Sequence, residues 1–399
     1  MRPAAWQALA VNAPETGPSE ATRPEARWVD NDAALAEVVK ILVDEPAYGL
    51  DTEFLSEHTY WPRLCLVQLS WSHGIALVDP FACDVRALAE VLQAPATMVT
   101  HAGASDLPIL DRAIGARPAG LFDTQLAAGF VGLGSPSLGS LVSVLLGVRL
   151  DKSEQLADWS TRPMKDSLKR YAAADVQHLL PLTLELQHRL TELGRERWAA
   201  TECEILRTSA PRVNDPDTAW WRVKGASSMR GEKAKVAQAL AGWRERRAQA
   251  NDTPTRQVLS DFAIVAAANR PPRNVDELFA LRGVNRVGGG TAKEIISVVE
   301  QAREMPNDAL RRPPKFDDVP DLDAAVSLLV AWVAELASSE RIDRQMLATR
   351  DDIKALVHGR PSRLDDGWRA QLAGEGLHRL LEGKAVIRLS DGGRHLEME

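Results

Sequence analysis

Residues 48–54, Tyr-Gly-Leu-Asp-Thr-Glu-Phe, alternate two chemistries with a period of two. Tyr48, Leu50, Thr52 and Phe54 fall on one side and Gly49, Asp51 and Glu53 on the other, the pattern of a β-strand with unlike faces. Asp51 and Glu53 therefore leave the same face, two residues apart. Carboxylates that close repel unless a cation lies between them. A hard divalent ion with oxygen ligands, Mg²⁺ or Mn²⁺, meets that need. A strand with a solvated or salt-bridged polar face fits the same pattern, so the pair alone leaves both readings open.

Two further stretches narrow the choice. Asp166–Leu193 reads as helix, with Leu168, Tyr171, Ala172, Val176, Leu179 and Leu180 spaced for a buried stripe. Tyr171 and Asp175, four residues apart, share a face. Asp106 opens the amphipathic stretch Ser105–Ile114 directly after an apolar run that ends at Thr100-His101. Taken singly, these residues suit a core tyrosine, a solvated aspartate and a helix N-terminal acid favoured by the macrodipole. Together they give four carboxylates and a phenol, the donor set of a two-metal phosphodiesterase. No concentration of His or Cys offers a competing metal site.

The same stretches resemble the ribonuclease D family, in the DEDDy branch of the DEDD 3′→5′ exonuclease superfamily. Leu50-Asp-Thr-Glu-Phe54 is similar to its first motif, and His101-Ala-Gly-Ala-Ser-Asp-Leu107 to its second, followed by Leu121-Phe-Asp-Thr-Gln125. Asp151-Lys-Ser-Glu154, Asp158-Trp159 and Arg162-Pro163 lead into Tyr171-Ala-Ala-Ala-Asp175, similar to the third motif in its tyrosine form. Every catalytic position of the pattern is present. The resemblance implies that Asp51 bridges two ions and that Glu53 and Asp175 complete the water-activating one. Asp106 would support the second ion, largely through water, and Tyr171 would hold the attacking water. It implies a 3′→5′ exoribonuclease that releases 5′-nucleoside monophosphates from free RNA 3′ ends, with tRNA precursors and other small stable RNAs as substrates. His101 is expected to be a structural residue.

Strand candidates are Tyr48–Phe54, Cys65–Ser70, Ile75–Val78 and Met98–His101. Helix candidates are Asp32–Val43, Val85–Gln93, Asp106–Ile114, Thr124–Val131, Leu138–Leu146 and Asp166–Leu193, the last kinked at Pro181. Strands first and helices later predict an α/β, ribonuclease-H-like exonuclease domain with a mixed sheet. A helical connector, Thr183–Thr208, should follow. The pattern Ala239–Ala248, Val258–Ala266 and Leu278-x-x-Leu281-x-Gly283 resembles an HRDC domain, and Gly367-Trp-Arg-x-x-Leu a second, weaker copy. All-α HRDC-type domains are thus expected after the exonuclease domain. The expected division is a disordered leader over 1–28, exonuclease 29–210, linker 211–228, HRDC 229–306, linker 307–317 and a second HRDC-like domain 318–399. A short strand is also open within Ala385–Leu389. Gly288-Gly-Gly290 lacks the Lys-Ser/Thr of a P-loop and is read as a turn that lets backbones approach.

The net charge of −7 seems to oppose a nucleic-acid partner, yet distribution matters more than the total. Between Arg222 and Arg256, nine Lys and Arg face Glu232, Glu245 and Asp252, with Trp220, Trp221 and Trp243 interleaved. Lys233, Lys235, Arg244 and Arg247 are the expected phosphate contacts. The HRDC modules could instead dock protein. Cys65, Cys83 and Cys203 are scattered and odd in number, which favours a reducing, cytoplasmic setting. The most apolar run, around Val326–Leu336, is too short to span a bilayer, and no secretion signal is read at the N-terminus. A monomer is favoured, with oligomeric state left open. The alternative enzyme is a DNA-directed 3′→5′ exonuclease of the same superfamily.

Overall fold

In the computed structural model, residues 25–151, 157–209, 214–284, 288–312 and 322–399 are described. Residues 1–24 of the expected leader and Lys152–Glu154 of the third-motif approach lie outside them. The chain forms two compact units. The first comprises Met1–Glu53, Leu64–Pro211 and Phe316–Glu399, and the second Phe54–Arg63 with Arg212–Lys315.

In the first unit, β1 (Arg27–Val29), β2 (Ala47–Leu55), β3 (Arg63–Trp71), β4 (Gly74–Val78), β5 (Thr97–Thr100) and β6 (Gly120–Asp123) make a mixed sheet in the order β1-β4-β3-β2-β5-β6. β1 runs parallel to β4, β4 antiparallel to β3, and β2, β5 and β6 parallel to one another. The acid-bearing β2 is central. β1 begins inside the expected leader; it and β6 are too short to show alternation. The helices are α1 (Asp32–Val43), α2 (Ala89–Gln93), α3 (Asp106–Ile114), α4 (Thr124–Phe130), α5 (Leu138–Leu146), α6 (Asp166–Gln177), α7 (Leu179–Glu192) and α8 (Glu196–Thr208).

The predicted long helix is two. α6 ends and α7 starts at His178, and Pro181 falls in the first turn of α7. There its missing N–H is one that no helical carbonyl would accept, and the interruption falls at His178, three residues before the proline, rather than at the proline itself.

The second unit is helical: α9 (Gly231–Ala250), α10 (Thr255–Val258), α11 (Asp261–Asn269), α12 (Val275–Phe279) and α13 (Gly289–Glu304). Trp220 lies within the stretch expected to be linker, but it is fully buried in this core, among Val236, Leu240 and Ile264. Tyr60 and Trp61, from the excursion between β2 and β3, belong here too. The Tyr60 hydroxyl donates to Glu245 Oε1 at 2.5 Å, and Trp61 N–H to Asp252 at 2.9 Å.

Residues 322–399 return to the first unit as α14 (Asp323–Ser339), α15 (Arg344–Leu347), α16 (Arg350–Val357), α17 (Gly367–Arg369) and α18 (Glu375–Leu381). They end in an antiparallel hairpin, β7 (Ile387–Ser390) and β8 (His395–Met398). This last region is therefore not all-α, and it shares one hydrophobic core with the exonuclease helices. Phe130, Leu141 and Leu186 cluster with Val326, Trp332, Trp368 and Leu377. Trp368 stacks on Trp198 at 5.3 Å and meets Phe130 edge-on at 5.0 Å. Arg369 forms a bidentate pair with Glu202 at 2.6 and 2.9 Å. At Gly129, an added Cβ would lie 2.1 Å from Met346 Sδ, so a larger residue there would make the Met346 side chain of α15 move.

Candidate active site

Asp51, Glu53 and Asp175 converge. Each offers a carboxylate oxygen, and these oxygens all lie within 4.8 Å of one another. Two come from β2 by strand alternation. The third comes from α6, whose Leu168, Ala172 and Val176 are buried and so turn Tyr171 and Asp175 toward the strand. α6 is tied to the sheet by the Ser70 hydroxyl on β3, which donates to the Val176 carbonyl at 2.9 Å. Gly49 makes room for this packing, since a Cβ there would sit 2.3 Å from Ser70 Oγ and 3.3 Å from Leu179.

The electrostatics are those of a site short of positive charge. Burial, then the charges of Asp106, Asp175 and Glu53, hold the Asp51 carboxyl well above its usual range. Burial and the charges of Asp175 and Asp106 push Glu53 up to about 8, and burial pushes Asp175 up to about 7. A divalent cation removes this penalty, and an all-oxygen donor set suits a hard ion. The residues present fit such an ion.

Asp106 stands outside that tight triplet but close enough to act on Asp51. It is buried at the start of α3, accepts a hydrogen bond from the Thr52 hydroxyl, and is lifted by burial to about 6. Tyr171 lies one turn before Asp175, its ring 6.0 Å from the buried Trp159. Burial and the charges of Asp175, Glu53 and Asp51 push its phenol up to about 12, so it keeps its proton at neutral pH.

Two supporting residues escaped the sequence reading. Thr52 sits between the two acids yet turns its hydroxyl to Asp106. Asp123, fully buried, accepts from four backbone N–H groups: Ala102 at 3.1 Å, Gly103 at 2.9 Å, Gln125 at 2.8 Å and Leu126 at 3.3 Å. It caps α4 and also fixes the turn through Ala102, at φ +59°, that delivers Asp106. The only signal was its place in Leu121-Phe-Asp-Thr-Gln125. His101 is held by Thr124 Oγ1 at 2.9 Å and the Pro136 carbonyl at 3.1 Å, a structural role.

The four expected phosphate contacts fare differently. Arg244 is buried and ion-paired with Asp261 at 2.6 Å, with a further bond to the Leu259 carbonyl, so its guanidinium is spent inside the helical unit. Arg247 pairs with Glu294 at 2.5 Å, and Lys235 donates to the Met305 carbonyl at 2.6 Å. Lys233 is exposed and donates to Asn269 at 3.0 Å.

Comparison with known proteins decides the family. Residues 26–191 match a 3′-5′ exonuclease family and residues 233–288 an HRDC domain. The chain is 35% identical to ribonuclease D of Acidiphilium cryptum over 384 residues, covering 94% of this chain and 97% of that protein. The chain belongs to the ribonuclease D family. Ribonuclease D of Escherichia coli K12 is 32% identical over 368 residues, 89% of this chain and 98% of that protein. The crystal structure of Escherichia coli RNase D, described as an exoribonuclease involved in structured RNA processing, superposes with a TM-score of 0.79. That match has 31% identity and spans 90% of this chain and 99% of that one. As a ribonuclease D, this chain is a 3′→5′ exoribonuclease, and the DNA-directed alternative is not favoured.

Proposed function

We propose that Asp51, Glu53 and Asp175 would hold divalent metal, Mg²⁺ or Mn²⁺, two ions in all with Asp51 serving both, and that Asp106 would support the second from its place beside Thr52. Mg²⁺ or Mn²⁺ bound there would lower the pKa of an attacking water and offset charge developing on the departing 3′ oxygen. The chain's own residues supply orientation. Tyr171, protonated at neutral pH, uses its hydroxyl to place the water beside Glu53. The α6 packing on Ser70 and Gly49 fixes Asp175 relative to β2, and Asp123 fixes the turn that carries Asp106. Positioning and charge stabilisation of this kind account for most of the rate in phosphoryl chemistry.

The convergence of the three carboxylates carries this reading. The substrate we propose is RNA with a free 3′ end, tRNA precursors and other small stable RNAs among them, in the cytoplasm. The helical unit over 229–306 would hold the RNA body by its phosphates. Lys233 is retained as a contact, and Arg244 is withdrawn because its charge is already used. Three buried free cysteines accord with a reducing compartment, and among the described residues no helix is long and apolar enough to cross a membrane.

The test uses matched RNA and DNA oligonucleotides, with Mg²⁺, Mn²⁺ or a chelator, and chromatography of the products. Stepwise release of 5′-nucleoside monophosphates from RNA, abolished by chelator, is expected. Activity that persists in chelator would remove the metal assignment.

A further inference from the structure

Gln68 lies in the middle of β3 with no exposed surface, and among the described residues neither its amide nitrogen nor its amide oxygen has a hydrogen-bond partner. An orphaned buried amide opposes folding, and an apolar side chain of similar volume would serve the core better. Its position gives it a use. β2 and β3 are sheet neighbours joined by a short excursion, so they run antiparallel. Gly49 and Ser70 are cross-strand neighbours on one face, since a Cβ on Gly49 would lie 2.3 Å from Ser70 Oγ, and we take them as the opposed pair. Two residues along each strand, in opposite directions, bring Asp51 across from Gln68. Directly opposed residues share a face, with Cβ atoms about 4.5–5.5 Å apart. Gln68 also shares its face with Ser70, whose hydroxyl binds the Val176 carbonyl of α6, so it lies on the side where Tyr171 and Asp175 are brought in. Asp51 accepts a hydrogen bond from the Thr52 backbone, and a carboxylate has lone pairs for about four bonds.

We propose that Gln68 is a positioning residue of the active site: its amide N–H donates to the Asp51 carboxylate when divalent metal is bound, fixing how Asp51 presents its oxygens. Ligating carboxylates are commonly oriented by such donors, whose loss costs about 10–100-fold in metal affinity or activity. The inference rests on Asp51 being a metal ligand. It explains why an amide is kept where the metal-free fold gains nothing from it.

The test is Gln68→Leu, with Gln68→Met as a second apolar variant should the branched side chain not pack, and Asp51→Asn in parallel. Three quantities are measured: the thermal midpoint in chelator, Mn²⁺ affinity of the RNA-free protein by electron paramagnetic resonance, and kcat and KM on a short RNA. The expected result for the apolar variants is a midpoint equal to or above the parent's, because the orphaned amide is gone. Mn²⁺ should bind about 10–100-fold more weakly, and kcat should fall with KM unchanged. A purely packing role predicts no change in Mn²⁺ affinity or kcat. That outcome, with Asp51→Asn losing metal, overturns the role of Gln68 alone. Should Asp51→Asn bind Mn²⁺ like the parent, the ligand assignment itself is overturned.

Discussion

Arg369→Ala tests whether residues 322–399 are part of the catalytic unit. The Arg369 and Glu202 side chains are 7% and 12% exposed, and the pair is bidentate. Trp368 Nε1–H adds a third bond to Glu202 at 3.0 Å, and Arg369 also donates to the Met346 carbonyl at 2.8 Å. Burial alone would lift the Glu202 carboxyl, but the bonds from Arg369 and Trp368 and the charges of Arg369 and Arg363 hold it below the usual range. Removing the guanidinium leaves a buried carboxylate without its partner, a loss of about 3–5 kcal/mol. At about 2–4 °C per kcal/mol for a large domain, the midpoint of the first unit should fall by roughly 6–20 °C. Calorimetry reads this, and exonuclease assays at low temperature should find kcat near the parent's, since Glu202 is not among the site residues. The pair Glu202→Gln with Arg369→Met should recover most of the loss, because no buried charge is left alone. A drop below about 2 °C for Arg369→Ala would refute the reasoning. So would a chain ending at residue 312 that keeps the parental midpoint, which would make the C-terminal region an appended module.

Asp51→Asn should fold normally and lose nearly all turnover at saturating metal; more than a few per cent of parental activity would remove it from the bridging role. Tyr171→Phe removes a hydroxyl but no metal ligand, so turnover should fall about 10²–10⁴-fold while calorimetric metal affinity stays parental. In chelator, Glu53 and Asp175 have folded pKa values of about 8 and about 7, above their ordinary ones, so their contribution to stability is intact below about pH 4 and lost as pH rises through 8. The midpoint gained on adding Mg²⁺ should accordingly be larger at pH 8 than at pH 5, and equal gains at both would contradict the charge-relief account. Lys233→Ala should weaken binding to a folded RNA and flatten its salt dependence by up to about one unit of slope, whereas Arg244→Ala should mainly destabilise the helical unit; a matching salt-slope effect from Arg244 would return it to the RNA surface.

What the sequence disclosed followed from local period. α1, α3 and α5 have the predicted boundaries because caps and apolar spacing coincide, as with Asn31, whose side chain accepts from Ala34 N–H before α1. Asp51, Glu53 and Asp175 could be picked out because strand and helix periods aim them in known directions. What was hidden depends on distant partners. Arg244 looked available in a basic run, but Asp261 and Leu259 claim it. Trp220 looked like a linker aromatic and proved to be core, its Nε1–H bonded to the Arg311 carbonyl at 2.8 Å. Gly288–Gly290 were read as permitting close approach, yet a Cβ at any of them would meet nothing within 4 Å. They simply open α13.

The closing of the first unit's core by α14–α18 has a bearing on synthesis. Glu202 meets Trp368 and Arg369 across 166 and 167 residues of chain, with most of the helical unit encoded between them. A nascent chain that has produced every active-site residue by position 175 still lacks Trp332, Trp368 and Leu377, and Phe130 and Trp198 remain without cover. The helical unit, mostly contiguous in sequence, can condense first, while the exonuclease core waits for its late partners. The hydrophobic core that this unit shows when folded is therefore complete only once residue 377 has been synthesised, about 200 residues after the last of the site's acids.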